Sequence, residues 1–152
     1  MATLTAAFQS GSKRVHYEHG VLVQQLRALD LELDYLQGHL ETAGSLIAAK
    51  RIQLYASQLA DELPSHFLRE EQTVLASVAG VSRQLELFAE EMKAQHRDLR
   101  QRLNLFCQAI DQLETAEDLA AAVGEIREKG KALTGELGRH IALEEQELSG
   151  FL

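Results

Sequence analysis

The chain has 152 residues, a formal net charge of −8, one proline, one cysteine and no tryptophan. That length suits one domain around one core. The acidic balance without any basic block argues against a nucleic-acid partner, and a single cysteine, Cys107, excludes an internal disulfide and points to a reducing, cytoplasmic setting. No apolar run is long enough to span a membrane. The start, residues 1–12, lacks the charged-then-apolar layout of a signal peptide and reads as a flexible leader, which leaves 13–152 as the folded domain. Helix formers dominate what remains, so the fold class is all-α.

The first helix is expected from about Lys13 to about Glu41. Its inward stripe is Val15, His19, Leu22, Leu26, Leu29, Leu33, Leu36 and Leu40, at the alternating three- and four-residue spacing that one buried face requires. His16 falls off that stripe and reads as a surface residue; His39 flanks it and reads as structural. Gly44 is a stop signal and Ser45 a cap for the next helix. The second helix is expected from about Leu46 to about Val78, with Ile52, Leu59, Leu63, His66, Glu70 and Val74 inward. Pro64 predicts a kink one turn before His66. Gly80 and Ser82 supply the next stop and start. The third helix, from about Arg83 to about Leu113, turns Leu85, Met92, His96, Leu99, Leu103, Phe106, Ile110 and Leu113 inward. Thr115 and Asp118 have capping-box spacing. The fourth helix carries Leu119, Val123, Ile126, Leu133, Leu137, His140, Glu144 and Leu148, and it contains Gly124, Gly130, Gly135 and Gly138, an unusual load for a helix.

Short connections make neighbours antiparallel, which gives an up-down-up-down four-helix bundle. Counted from their shared turns, His19 matches His66 in height, and His66 matches His96. His140 lies further from its turn than His96 does, an offset of roughly 6–9 Å on ideal helices. An overhanging turn or an irregular fourth helix would absorb it. A local repeat supports convergence: Glu62-x3-His66-x3-Glu70-Glu71 returns as Glu136-x3-His140-x3-Glu144-Glu145, on helices that are diagonal partners in such a bundle.

A lone histidine on an apolar face is more often a hydrogen-bonded core residue than a ligand. Here six chemistry-bearing residues, His19, His66, Glu70, His96, His140 and Glu144, fall on inward stripes of four helices at comparable heights. Buried imidazoles and carboxylates without partners are costly, and a shared cation removes that cost. Residues four apart on a helix lie one above the other, so each His-x3-Glu pair offers two donors from one face. The simplest division is two histidines per metal, with Glu70 and Glu144 bridging and a solvent oxygen (oxo or hydroxo) between the ions. Imidazole with carboxylate suits iron, with manganese or zinc as substitutes. Without metal, repulsion and desolvation among the six groups are expected to raise the carboxylate pKa values. Glu62 and Glu136, one turn before each histidine, read equally as acceptors of an imidazole proton or as solvated edge residues. Arg69, Arg97 and Arg139 are expected to point outward, and Cys107 to be a partly buried, unreactive thiol. Tyr17, Tyr35 and Tyr55 fit bundle packing as well as a pocket.

The ordered set Glu18-His19, His66-Phe67-Leu68-Arg69-Glu70-Glu71, His96 and His140-Ile141-Ala142-Leu143-Glu144-Glu145 resembles the hemerythrin-like (HHE) proteins, which are non-haem di-iron four-helix bundles. The resemblance implies that His19, His66, Glu70, His96, His140 and Glu144 ligate two irons. Oxygen-carrying hemerythrins have a second histidine one turn away on the third helix, where this chain has Met92 and Arg100. The set is closer to the family branch with four histidines and two glutamates, which includes proteins linked to repair of damaged iron–sulfur clusters. The resemblance therefore implies small ligands, a diatomic gas or peroxide, at the di-iron centre. Whether the centre binds oxygen or nitric oxide, turns over peroxide or nitric oxide as an oxidoreductase, or serves as an iron donor, sensor or repair protein stays open on sequence, because all three share these ligands. Oligomeric state also stays open.

Overall fold

A computed structural model describes the backbone of residues 2–38 and 43–149, and the side chains of residues 10–36 and 47–149. Its elements run in the order α1 (Ala2–Gly38), α2 (Ala43–Gln72), α3 (Val74–Val78), α4 (Arg83–Asp111), a 3-10 turn (Gln112–Thr115) and α5 (Leu119–Glu147). No strand occurs among the described residues. Helices α1 and α4 each pack on both α2 and α5. The four long helices therefore form a square in which α1 faces α4, and α2 faces α5, across the diagonal. The expected all-α, up-down-up-down antiparallel four-helix bundle is the fold.

The inward stripes bury two apolar clusters of unequal size. The larger is built on Leu26, Leu29 and Leu33 of α1, Ile52, Leu59 and Leu63 of α2, Leu103 and Phe106 of α4, and Ile126, Leu133 and Leu137 of α5. The smaller joins Val15, Val74, Leu75, Val78, Ala89, Met92 and Leu148. On α1 and α4 the histidine lies between residues of the two clusters, and after α2 and α5 the chain enters the smaller cluster at Val74 and Leu148, so the polar residues form a layer with an apolar layer on either side. Each fully buried leucine contributes roughly 1.5–3 kcal/mol, and this burial offsets the cost of a polar layer.

Several local details differ from the sequence expectation. Helix α1 begins at Ala2, so the segment expected as a leader continues the helix. Ser12 is buried, and a Cβ at Gly11 would stand 3.0 Å from Thr73 Cγ2, which shows how closely this part of α1 passes the end of α2. Helix α2 begins at Ala43, so Gly44 and Ser45 lie inside it and are not its stop and cap. His39 and Leu40 lie outside the described residues. Pro64 lies within α2, which continues through it without a break, as expected. An interruption not expected comes at Thr73, whose backbone (φ −113°, ψ −81°) leaves the helix while its hydroxyl donates to the Arg69 carbonyl at 2.7 Å. Such back-bonding by threonine bends helices. Ser82 caps α4 as expected, accepting from the Leu85 amide. The cap of α5 is Asp118, which accepts from the Ala121 amide at 3.1 Å. Thr115 belongs to the 3-10 turn and forms no capping box with it. That turn extends α4 and brings the arms 96–115 and 119–140 to nearly equal length, which absorbs the height offset of His140. Helix α5 stays continuous through its glycines. At Gly130 the reason for glycine is packing: a Cβ would meet Leu33 Cδ1 at 2.7 Å and Phe106 Cε2 at 2.9 Å.

Candidate metal centre

Helix α1 supplies His19, α2 supplies His66 and Glu70, α4 supplies His96, and α5 supplies His140 and Glu144. All six side chains are buried, none more than 3 % exposed. His19, His66 and Glu70 form one group in which a ligand atom from each lies within 4.8 Å of the others; Glu70, His96, His140 and Glu144 form a second. Glu70 belongs to both. Its Oε1 stands 2.6 Å from His19 Nε2 and 2.5 Å from His66 Nε2, whereas its Oε2 stands 3.0 Å from His96 Nε2. Glu144 divides its oxygens in the opposite sense: Oε1 lies against His140 Nε2 and 3.6 Å from His96 Nε2, and Oε2 lies 3.8 Å from His19 Nε2. Each carboxylate thus turns one oxygen toward each histidine pair.

The outer edges of the four rings are equally determined. His19 Nδ1 meets Glu145 Oε1 at 2.7 Å, His66 Nδ1 meets Glu18 Oε2 at 2.7 Å, His96 Nδ1 meets Glu71 Oε1 at 2.8 Å, and His140 Nδ1 meets Gln95 Oε1 at 2.8 Å. A carboxylate or amide oxygen can only accept, so each Nδ1 carries the hydrogen and donates it. With a metal bound, every Nε2 would then present its lone pair inward, the tautomer a metal ligand needs. His66 Nε2, Glu70 Oε2 and Glu144 Oε1 are buried without an aligned hydrogen bond. Buried polar atoms left so are costly. Four inward Nε2 atoms and two carboxylates, with three orphaned atoms among them, fit a pair of cations better than a self-satisfied polar network.

In the metal-free protein, protons take the place of cations. Burial opposes charge on His19 and His96. The Glu70 and Glu144 carboxylates outweigh it and push both imidazoles from their usual 6.5 up to about 9. Burial would raise Glu70, but attraction to His19, His66 and His96 holds it well below the usual carboxylate range. The expected rise of the carboxylate pKa values is therefore corrected at Glu70: imidazolium–carboxylate pairing dominates over repulsion.

Phe67 walls the centre on the side of the larger cluster. Its ring stacks on His96 at 4.1 Å between centroids and meets His66 and His140 at 6.0 and 5.8 Å. Arg100 lies over Phe67, with Cζ 5.8 Å from the ring centroid, and Met92 is buried in the smaller cluster. A model of the hemerythrin HHE cation-binding domain matches residues 10–152. The chain belongs to the hemerythrin HHE cation-binding family. No curated protein shows significant similarity to it. The match spans all six centre residues, and with the buried His/Glu cluster it makes this a metal-binding domain of the hemerythrin kind.

Of the two readings open for Glu62 and Glu136, the edge residue is the one their contacts fit. Glu62 accepts from Gln25 and Glu136 from Arg139, so neither backs an imidazole. The acceptors are Glu18, Glu71, Gln95 and Glu145. Their signal was adjacency: Glu18 and Gln95 each precede a histidine of α1 or α4, and Glu71 and Glu145 each follow a centre glutamate. Arg69 does not point outward; it donates from Nε and Nη2 to both oxygens of Glu18, at 2.8 and 2.9 Å. His16 is exposed, and its Nδ1 lies 2.9 Å from Glu145 Oε1. Tyr17 is exposed and lines a groove between α1 and α2, whereas Tyr55 packs against the larger cluster. Cys107 is half-buried, and burial pushes its thiol up, away from the reactive thiolate. No described helix is long and apolar enough to cross a membrane.

Proposed function

We propose that this chain is a non-haem di-iron protein of the four-histidine, two-glutamate branch, cytoplasmic, whose centre binds or reacts with oxygen, nitric oxide or peroxide. His19 and His66 would hold one ion, His96 and His140 the other, and Glu70 and Glu144 would bridge them. The observation that carries this reading is the division of each carboxylate between the two histidine pairs. Two irons held there would supply redox change and open positions for a small ligand. The protein's own part is to fix the four ring orientations through the outer acceptors and to keep bulk water away with Phe67 and the apolar layers. Manganese or zinc fits the same donors.

The test is anaerobic reconstitution with ferrous ion, followed by separate addition of oxygen, peroxide and nitric oxide under optical and X-ray absorption spectroscopy. Two ions per chain, roughly 3.5–4 Å apart, and a spectral change with at least one ligand are expected. A folded protein that saturates at one ion, or binds none, overturns the reading.

A further inference from the structure

The two halves of the centre are built alike. In each, one helix places an acceptor directly before its histidine (Glu18-His19 on α1, Gln95-His96 on α4), and another carries His-x3-Glu-Glu (α2 and α5). In each, that preceding residue takes the Nδ1 hydrogen of the neighbouring helix's histidine: Glu18 from His66, Gln95 from His140. The following glutamates cross over, Glu71 to His96 and Glu145 to His19. The halves therefore differ at one outer acceptor. His19 and His66 are both backed by carboxylates. His96 is backed by a carboxylate and His140 by an amide.

The amide is fixed in its role. Gln95 Nε2 donates to Glu91 Oε1 at 3.2 Å, and a carboxylate there can only accept, so Oε1 is the atom left for His140. A groove opens on each outer acceptor, about 480 Å³ beside Glu18 and about 290 Å³ beside Gln95. Both halves are thus approachable from solvent; besides donor count, four converging residues at His96/His140 against three at His19/His66, the acceptor chemistry separates them. An acceptor that carries negative charge makes the imidazole behind it a stronger donor to a metal, and changing such a partner typically alters metal affinity by about 10–100-fold. Arg69 and Arg14 bind Glu18 from outside. They offset part of its charge at a distance, but its Oε2 still faces His66 Nδ1 directly.

Resting on the di-metal reading, we propose that the two metal positions are unequal and that Gln95 makes the His96/His140 position the weaker, exchangeable one. Gln95 is a positioning residue: it touches the ligand His140 and acts through it.

The test is calorimetric titration of the metal-free protein with ferrous ion, without oxygen. Two steps of one ion each are expected, separated by about tenfold or more in affinity. His140→Ala should remove the weaker step and His66→Ala the tighter. Gln95→Glu should tighten the weaker step by about tenfold and close the gap; Glu18→Gln should close it from the other side by weakening the tighter step. Because a glutamate at 95 would face Glu91, the double variant Gln95→Glu/Glu91→Gln restores that hydrogen bond and keeps the test valid if the single variant fails to fold. Two steps of equal affinity in the parent protein, or a gap unmoved in the substituted proteins, overturn this inference and leave the di-metal reading standing. Saturation of the folded parent protein at one ion or none removes the di-metal reading itself.

Discussion

The leucine-rich layer and the histidine layer fill the same space between four helices under different rules. Around Leu33, Phe106 and Gly130 the requirement is volume: burial is non-directional, and swaps that conserve size cost little. Around Glu70 the requirement is atomic. Each carboxylate oxygen has an assigned histidine pair, and each Nδ1 has an assigned acceptor. The apolar layer supplies stability and tolerates change. The polar layer supplies specificity and is reinforced by a surrounding shell of carboxylates and one amide. The two layers can therefore be broken separately.

The largest effect should come from the bridging carboxylates. Glu70→Ala or Glu144→Ala removes an oxygen from both positions at once, so both ions should be lost together, as read by iron content after reconstitution and desalting. Retention of one full equivalent would show that the glutamate serves a single ion. Next in size, Leu33→Ala should cost about 2–5 kcal/mol in chemical denaturation, and Gly130→Ala about 1–3 kcal/mol by overpacking. Both should still take up two ions. If Leu33→Ala abolishes metal uptake while still folded, the layers are not independent.

The polar layer alone should respond to pH. His19 and His96 stand at about 9 in the metal-free fold against 6.5 when exposed. Their folded-state pKa is the higher, so their contribution to stability is complete below about 6.5 and is lost as pH rises through 9. Glu70 is depressed, so its contribution is present above the unfolded carboxylate pKa of 4.5 and is lost as pH falls toward the depressed value. The melting temperature of the metal-free protein should therefore fall between pH 6.5 and 9. Iron should suppress that fall, because each Nε2 is then occupied. A metal-free protein whose melting temperature is flat or rising over this range would contradict the charge-paired core.

The two layers were not equally legible in the sequence. Three- and four-residue spacing placed nearly every buried leucine and all six centre residues, because one stripe per helix decides burial. The elements that failed were those set by tertiary contact. The break at Thr73 coincides with a local hydroxyl bond to the Arg69 carbonyl and with Gly11 passing alongside, neither visible in helix periodicity. The 3-10 turn Gln112–Thr115 runs past the expected helix end at Leu113 and takes up Thr115, which spacing read as part of a capping box. The outer acceptors were not legible for a further reason: one-turn spacing names neighbours on the same helix, and all four acceptors reach their imidazoles from a different helix.

That last failure gives the smallest effect and the sharpest contrast. Glu71 and Glu145 each follow a centre glutamate, and each accepts from an imidazole across the bundle, at 2.8 and 2.7 Å. Glu62 and Glu136 stand one turn before a histidine yet bond only to Gln25 and Arg139 among the contacts of the described residues. Both pairs are acidic, belong to the same two helices and sit within the same sequence repeat, so net charge and helix propensity change equally on substitution by alanine. Only the first pair orients a ring. Glu71→Ala and Glu145→Ala should weaken ferrous-ion binding by about 10–100-fold, each acting on the position of its own histidine, His96 or His19. Glu62→Ala and Glu136→Ala should leave both steps of the titration unchanged within error. If all four substitutions weaken binding alike, the effect is long-range charge, and the outer acceptors have no directional role.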